Sequence, residues 1–135
     1  MAGGLTYDTG ALIAAERNDR RAWALHRRSL ERGIVPTVPA GVLAQGWRGG
    51  PQPQMSRVLS GCRIEPFDEP RARSAGAACG TAGTFDVVDA AVVVGAAARN
   101  DIIVSSDPRD LKRLSDALRS RFDSSSSDTG PGRQQ

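Results

Sequence analysis

The sequence has few of the residues that build disulfide scaffolds, zinc sites or aromatic cores. Its 135 residues include two cysteines, one histidine, three phenylalanines, two tryptophans and one tyrosine. Cys62 and Cys79 are too few for a disulfide framework, and no CxxC motif or Cys/His cluster offers a zinc site. We therefore expect a cytoplasmic protein whose core consists mainly of alanine, valine, leucine and isoleucine.

Long hydrophobic runs are also missing. Met1 to Asp8 contains no basic segment followed by an apolar one, and the longest largely apolar stretch, Val87 to Ala98, is too short to cross a bilayer. The sequence predicts neither secretion nor membrane insertion.

Lysine is nearly absent, since all but one of the 18 basic residues are arginine, and 15 acidic residues leave a formal charge of +3. The 39% hydrophobic and 24% charged residues are typical of one folded domain. We place that domain at residues 1–122. The polar, Ser- and Gly-rich remainder, residues 123–135, is predicted to be a disordered tail.

Short apolar runs alternate with helical patterns, which predicts an α/β fold with a parallel sheet of four or five strands. The predicted strands are Leu5–Tyr7, Ile34–Val38, Arg63–Phe67 and Ile102–Val104. The predicted helices are Thr9–Glu16, Arg20–Arg32, Ala40–Trp47, Gln54–Leu59, Pro70–Cys79, Asp86–Arg99 and one that begins at Asp110, with a loop at Gly80–Gly83.

Four aspartates are predicted to meet at one edge of this sheet. Asp8 and Asp107 each follow a predicted strand, and ligands of open parallel sheets collect at the carboxyl ends of the strands. Asp86 and Asp89 lie three residues apart at the start of a helix, hence on one face of its first turn.

Clustered carboxylates repel one another unless a cation binds between them. Oxygen ligands alone favour a hard divalent ion, Mg²⁺ or Mn²⁺, which can polarise a phosphodiester and activate water. The predicted chemistry is therefore phosphodiester hydrolysis.

Each aspartate also has a simpler interpretation. Asp8, Asp86, Asp107 and Asp110 all lie where a helix begins and are suited to N-terminal capping, which is the favoured interpretation for Asp86 and Asp110. Asp89 is one turn inside a Val- and Ala-rich helix, where packing does not explain it, so we favour a functional role there.

Three segments in this order, YDTGALIAAE, DVVDAAVV and IIVSSDPRDLKRL, resemble the PIN-domain ribonucleases, specifically the VapC-type toxins of bacterial toxin-antitoxin modules. The resemblance covers Leu5 to Leu114. It implies a three-layer sandwich of helices around a short parallel sheet, a Mg²⁺- or Mn²⁺-dependent acidic site and RNA cleavage. It also implies a cognate antitoxin as partner and a homodimer.

The resemblance assigns the metal-binding and catalytic positions of the family to Asp8, Asp89 and Asp107. Ser106 matches a hydroxyl position that supports the site. Asp86 and Asp110 are accessory candidates.

Gln45 departs from the family pattern, because it stands where the family usually has a glutamate. An amide can still hydrogen-bond or coordinate, but it removes one negative charge, so we expect weaker metal binding or reduced activity. The alternative is a degenerate PIN domain that acts as a binding protein.

A third hypothesis, a phosphatase with Asp8 as nucleophile, is disfavoured. Phosphatases of the haloacid-dehalogenase type need a second aspartate two residues after the first, and this chain has Gly10 there.

The remaining signals are ambiguous. The Arg-rich helix at Arg20–Arg32 can bind RNA phosphates or simply face solvent. His26 lies on its apolar face and is expected to be packed rather than catalytic. Trp47 and Met55 are expected at an interface or in the core, and Glu65 is expected on the surface.

Overall fold

The computed structural model describes residues 3–105, which form a mixed α/β fold. The strands are β1 (Leu5–Tyr7), β2 (Thr37–Pro39), β3 (Arg63–Glu65) and β4 (Ile102–Val104). The helices are α1 (Thr9–Glu16), α2 (Arg20–Glu31), α3 (Ala40–Gly46), α4 (Pro53–Ser60), α5 (Glu69–Ala82) and α6 (Val87–Arg99). The predicted helix from Asp110, any fifth strand and the tail lie outside the described residues.

The four strands form one parallel sheet in the order β3-β2-β1-β4. Thr6 of β1 is in register with Thr37 of β2 and with Ile103 of β4. Helix α6 contacts β1, β2 and β4, and α5 packs against α6. Helix α1 contacts β1, and α2, α3 and α4 pack against α1. The predicted three-layer α/β sandwich with a parallel sheet is therefore confirmed.

Four aspartates define where helices begin. Each is the N-cap of its helix, and its carboxylate accepts a hydrogen bond from a backbone amide three residues ahead. They are Asp8 of α1, Asp19 of α2, Asp68 of α5 and Asp86 of α6. The capping interpretation of Asp8 and Asp86 is therefore confirmed, without excluding a second role.

Several predicted boundaries are wrong, among them the end of the third strand, which lies at Glu65 rather than Phe67. Helix α5 continues to Ala82, through most of the predicted loop, and ends at Gly83, whose φ of +73° is a left-handed conformation that suits glycine. The second strand begins at Thr37 rather than Ile34, because the Ile34 amide bonds the Ser29 carbonyl to close the end of α2.

The core is built from alanine and valine around a few larger side chains. Leu12, Met55 and Val92 are at most 1% exposed. Met55 is thus a core residue, whereas Trp47 is 40% exposed. Isoleucine contributes less to the core than expected: among the described residues no isoleucine is fully buried, and Ile103 packs against the core while partly exposed.

An ionic network fills the space between α6 and the sheet, so the prediction that Glu65 is a surface residue is wrong. Arg99 ion-pairs with both Glu65 and Asp101, and Arg71 adds a second cation to Glu65. The Asp101 carboxylate also accepts the Thr6 hydroxyl at 2.7 Å and the Gly4 amide at 2.8 Å.

Gly95 allows α6 to approach this network closely. A Cβ at position 95 would lie 2.9 Å from Glu65 Oε1.

Among residues 3–105, no single helix is long and apolar enough to cross a membrane. Helices α5 and α6 reach that length only together, with a 108° bend between them.

Candidate functional site

Asp8 lies at the carboxyl edge of the sheet, directly after the central strand β1. Its backbone amide continues the pairing with β4 by bonding the Val104 carbonyl at 3.2 Å. The residue is only 7% exposed. The strand-then-aspartate pattern at Leu5–Asp8 thus predicted the position of this carboxylate.

Hydrogen bonds hold the Asp8 carboxylate in place. Its Oδ1 accepts the Ala11 amide at 2.8 Å, and the Ser105 hydroxyl donates to the same carboxylate. Burial raises the pKa of Asp8, and these hydrogen bonds offset only part of that effect. Within residues 3–105 no basic side chain forms an ion pair with Asp8.

The acidic first turn of α6 is brought to the same edge. Helix α6 leads directly into β4, so its N-terminus lies at the carboxyl end of the sheet. Gly41 follows β2, and a Cβ there would lie 3.3 Å from Cγ2 of Val88. Val88 directly precedes Asp89, so the first turn of α6 lies close to the end of β2. The Asp89 amide donates to Asp86 Oδ1 at 3.0 Å. The topology thus brings Asp86 and Asp89 to the edge where Asp8 lies.

Gln45 also lies beside the beginning of α1. The Thr9 hydroxyl donates to Gln45 Oε1 at 2.6 Å, which links the residue after Asp8 to the last turn of α3. The position that the resemblance assigned to a glutamate therefore contacts the residue that follows Asp8, although Gln45 itself is exposed.

Ser105 is a residue that the sequence interpretation missed. The resemblance pointed to Ser106, which lies outside the described residues together with Asp107 and Asp110. Tyr7 pairs with Val104, so one further step along both strands aligns Asp8 with Ser105. Only the register of β1 against β4 identifies this hydroxyl.

Oxygen ligands at this edge suit a hard cation. Asp8 offers a buried carboxylate without an ionic partner in the described region, and the partly exposed Asp89 carboxylate lies in the first turn of α6. Residues 3–105 contain no group of three or more His, Cys, Asp or Glu side chains placed to hold a metal ion. The convergence of Asp8, Asp89 and Asp107 remains a prediction, because its third member is outside the described residues.

His26 is a packed residue, as expected. It is 4% exposed, its Nδ1 lies 2.9 Å from the Tyr7 hydroxyl, and the Trp23 ring meets it edge-on at 5.7 Å. Burial lowers the pKa of His26 and raises that of Tyr7. The sole histidine thus stabilises the packing of α2 against β1.

No protein-family model matches the chain, and no curated protein matches it either.

Proposed function

We propose that the protein is a metal-dependent endoribonuclease of the PIN-domain type, in the manner of the VapC toxins. The observation that carries this proposal is the buried Asp8 carboxylate at the carboxyl edge of the sheet, with the first turn of α6 brought to the same edge. A buried carboxylate without an ionic partner is costly, and binding a cation would remove that cost.

The residues that would hold Mg²⁺ or Mn²⁺ are Asp8, Asp89 and Asp107. When bound, the cation supplies Lewis-acid polarisation of a phosphodiester and lowers the pKa of water at the site. The chain itself orients these groups: Ala11 and Ser105 fix the Asp8 carboxylate, and the bond between Thr9 and Gln45 holds α3 against the first turn of α1.

The proposed function also implies binding partners and a cellular compartment for the protein. We infer RNA as substrate, a cognate antitoxin as inhibitor, a homodimer as the assembly and the cytoplasm as the compartment. The exposed arginines of α2 support RNA as the substrate, because phosphate contacts dominate nucleic-acid affinity.

The test is cleavage of RNA with Mg²⁺ or Mn²⁺ by the wild-type protein and by Asp8→Asn and Asp89→Asn. We expect both variants to lose activity by about 100-fold or more, as expected for loss of a residue that stabilises charge in the transition state. Glu69→Gln makes the same carboxylate-to-amide change on the exposed surface of α5 and should retain wild-type activity. Equal RNA degradation by the wild type and Asp89→Asn would exclude the nuclease assignment.

A second candidate function is a degenerate PIN domain that binds its partner without cleaving RNA. The observation that favours it is the neutral Gln45, whose Oε1 already accepts a hydrogen bond from Thr9. Calorimetric titration with Mn²⁺ separates the two functions: binding that is lost in Asp8→Asn argues against a degenerate site, and absence of binding argues for it.

A further inference from the structure

A cavity of about 310 Å³ adjoins the candidate site between α1, α2 and the end of β4. Two of its lining residues, Ala11 and Ser105, also hydrogen-bond to the Asp8 carboxylate. The cavity and the candidate site therefore share Ala11 and Ser105, although Asp8 itself does not line the cavity.

The remaining walls combine apolar surface with one charge of each sign. Ala14, Ala22 and Leu25 provide the apolar part, Arg21 provides a guanidinium, and Asp19 provides a carboxylate that also caps α2. A ligand that fits has a flat apolar body, an anionic group for Arg21 and hydroxyl or amino donors for Asp19. The volume is at the small end of ligand pockets and is suited to one nucleotide-sized group.

We propose that this cavity, here called the α1-α2 cavity, binds the base and ribose of a nucleotide that neighbours the scissile phosphate. The inference rests on the proposed nuclease function, since it assigns a substrate subsite beside Asp8. A base packs against the apolar wall, Asp19 accepts from a ribose hydroxyl or a base amino group, and Arg21 binds a flanking phosphate.

Charge on the same helix supports an RNA strand as the occupant. Arg20, Arg27 and Arg28 are exposed on α2, and within residues 3–105 none of them forms an ion pair. A strand whose base enters the α1-α2 cavity would therefore continue over a basic surface, which an uncharged ligand would not require.

The test is an NMR titration of the full chain with adenosine 5′-monophosphate, uridine 5′-monophosphate and inorganic phosphate. We expect the nucleotides to shift the amides of Ala14, Ala22, Leu25 and Ser105, and phosphate alone to leave the apolar wall unaffected. Shifts spread over the exposed arginines, or equal effects of phosphate and nucleotide, would overturn the proposal.

Two matched pairs of variants locate the binding. Arg21→Gln should weaken nucleotide binding by about tenfold, and Arg73→Gln, the same change on the exposed surface of α5 outside the cavity, by roughly twofold or less. Ala22→Leu should fill the cavity and abolish nucleotide binding, whereas Ala24→Leu should not. Circular dichroism confirms that each variant is folded.

The outcomes separate this inference from the proposed function. RNA cleavage without nucleotide binding in the α1-α2 cavity overturns the subsite and leaves the nuclease intact. Nucleotide binding without cleavage supports the subsite and counts against the nuclease. A change of oligomeric state in Ala22→Leu with no nucleotide binding to the wild type would show that a second copy of the chain covers the cavity, and would overturn the subsite.

Discussion

The Thr9 hydroxyl donates a 2.6 Å hydrogen bond to Gln45 Oε1, which joins the first turn of α1 to the last turn of α3. This bond places a neutral acceptor at the residue that follows Asp8 and fixes the position of one helix relative to the other. A glutamate at position 45 could accept the same bond, because only the acceptor oxygen is used.

Gln45→Glu should therefore fold normally and increase both Mn²⁺ affinity and RNA cleavage. We expect a gain of about tenfold in affinity, since an added carboxylate near a cation is worth on the order of 1.4 kcal/mol. Calorimetry and RNA cleavage measure the two effects. Gln45→Leu, which loses the Thr9 bond without adding charge, is the control, and an unchanged Mn²⁺ affinity in Gln45→Glu would show that position 45 lies outside the metal site.

Asp8→Asn should raise the melting temperature of the metal-free protein at neutral pH. Because burial raises the pKa of Asp8 above the usual 3.8, the folded state binds that proton more tightly than the unfolded state does. Stability from this group is thus present at low pH and is lost as the pH rises from 3.8 through the raised value. Asparagine caps a helix as well as aspartate but carries no charge.

Thermal unfolding in EDTA across this pH range measures the difference, which should shrink as the pH falls toward 3.8. Adding Mn²⁺ should stabilise the wild type but not Asp8→Asn, by about 2.7 kcal/mol at a hundredfold excess over the dissociation constant. A variant that is less stable than the wild type in EDTA at neutral pH would contradict this account of Asp8.

Asp101→Asn should destabilise the fold by about 3 kcal/mol, because it removes one partner of a buried ion pair. The Asp101 side chain is 5% exposed, and Arg99 Nε lies 3.0 Å from it. Although burial alone would raise the pKa of Asp101, hydrogen bonds from Thr6, Arg99 and Gly4 hold that pKa below its usual value. This stability is therefore present above pH 3.8 and is lost as the pH falls through the lowered pKa.

Urea unfolding compares Asp101→Asn with Arg73→Gln, which breaks the exposed pair between Arg73 and Glu69 and should cost about 0.5 kcal/mol or less. Similar losses in both variants would mean that the network under α6 contributes no more than a surface pair.

Two glycine substitutions in neighbouring helices should have opposite effects. Gly95→Ala should destabilise the protein by about 1 kcal/mol or more, because its Cβ would lie 2.9 Å from Glu65 Oε1, and two arginines fix that carboxylate through its other oxygen, Oε2. Gly76→Ala in α5 meets no atom within 4 Å and should stabilise by about 0.5–1 kcal/mol through helix propensity. Chemical denaturation measures both, and a stabilised Gly95→Ala would contradict the close approach.

The stability of the wild type should fall as the pH drops below about 6.5, the usual histidine value, because the unfolded chain then binds a proton that buried His26 resists. This contribution is fully present above pH 6.5 and is lost between that pH and the lowered pKa of folded His26. His26→Gln should remove this slope. Since the chain has one histidine, the difference between the two unfolding curves reports on His26 alone, and equal slopes would contradict its neutral, buried state.

Local sequence patterns determined most of the secondary structure. Capping aspartates act on an amide three residues away, so Asp8, Asp19 and Asp86 mark helix starts without any knowledge of the fold. The alternation of strands with helices implied a parallel sheet, and a parallel sheet has one carboxyl edge, which is why the position of Asp8 could be predicted.

Tertiary structure alone decided which residues surround that aspartate and which charges are buried. The Ser105 hydroxyl joins the nearby Ala11 amide in bonding the Asp8 carboxylate, because β1 and β4 are far apart in the chain but adjacent in the sheet. Glu65 is a charged residue of the kind expected on the surface, yet Arg71 and Arg99 pair with it in the contact between α6 and the sheet. These contacts depend on strand order and register, which periodicity and capping within one segment do not encode.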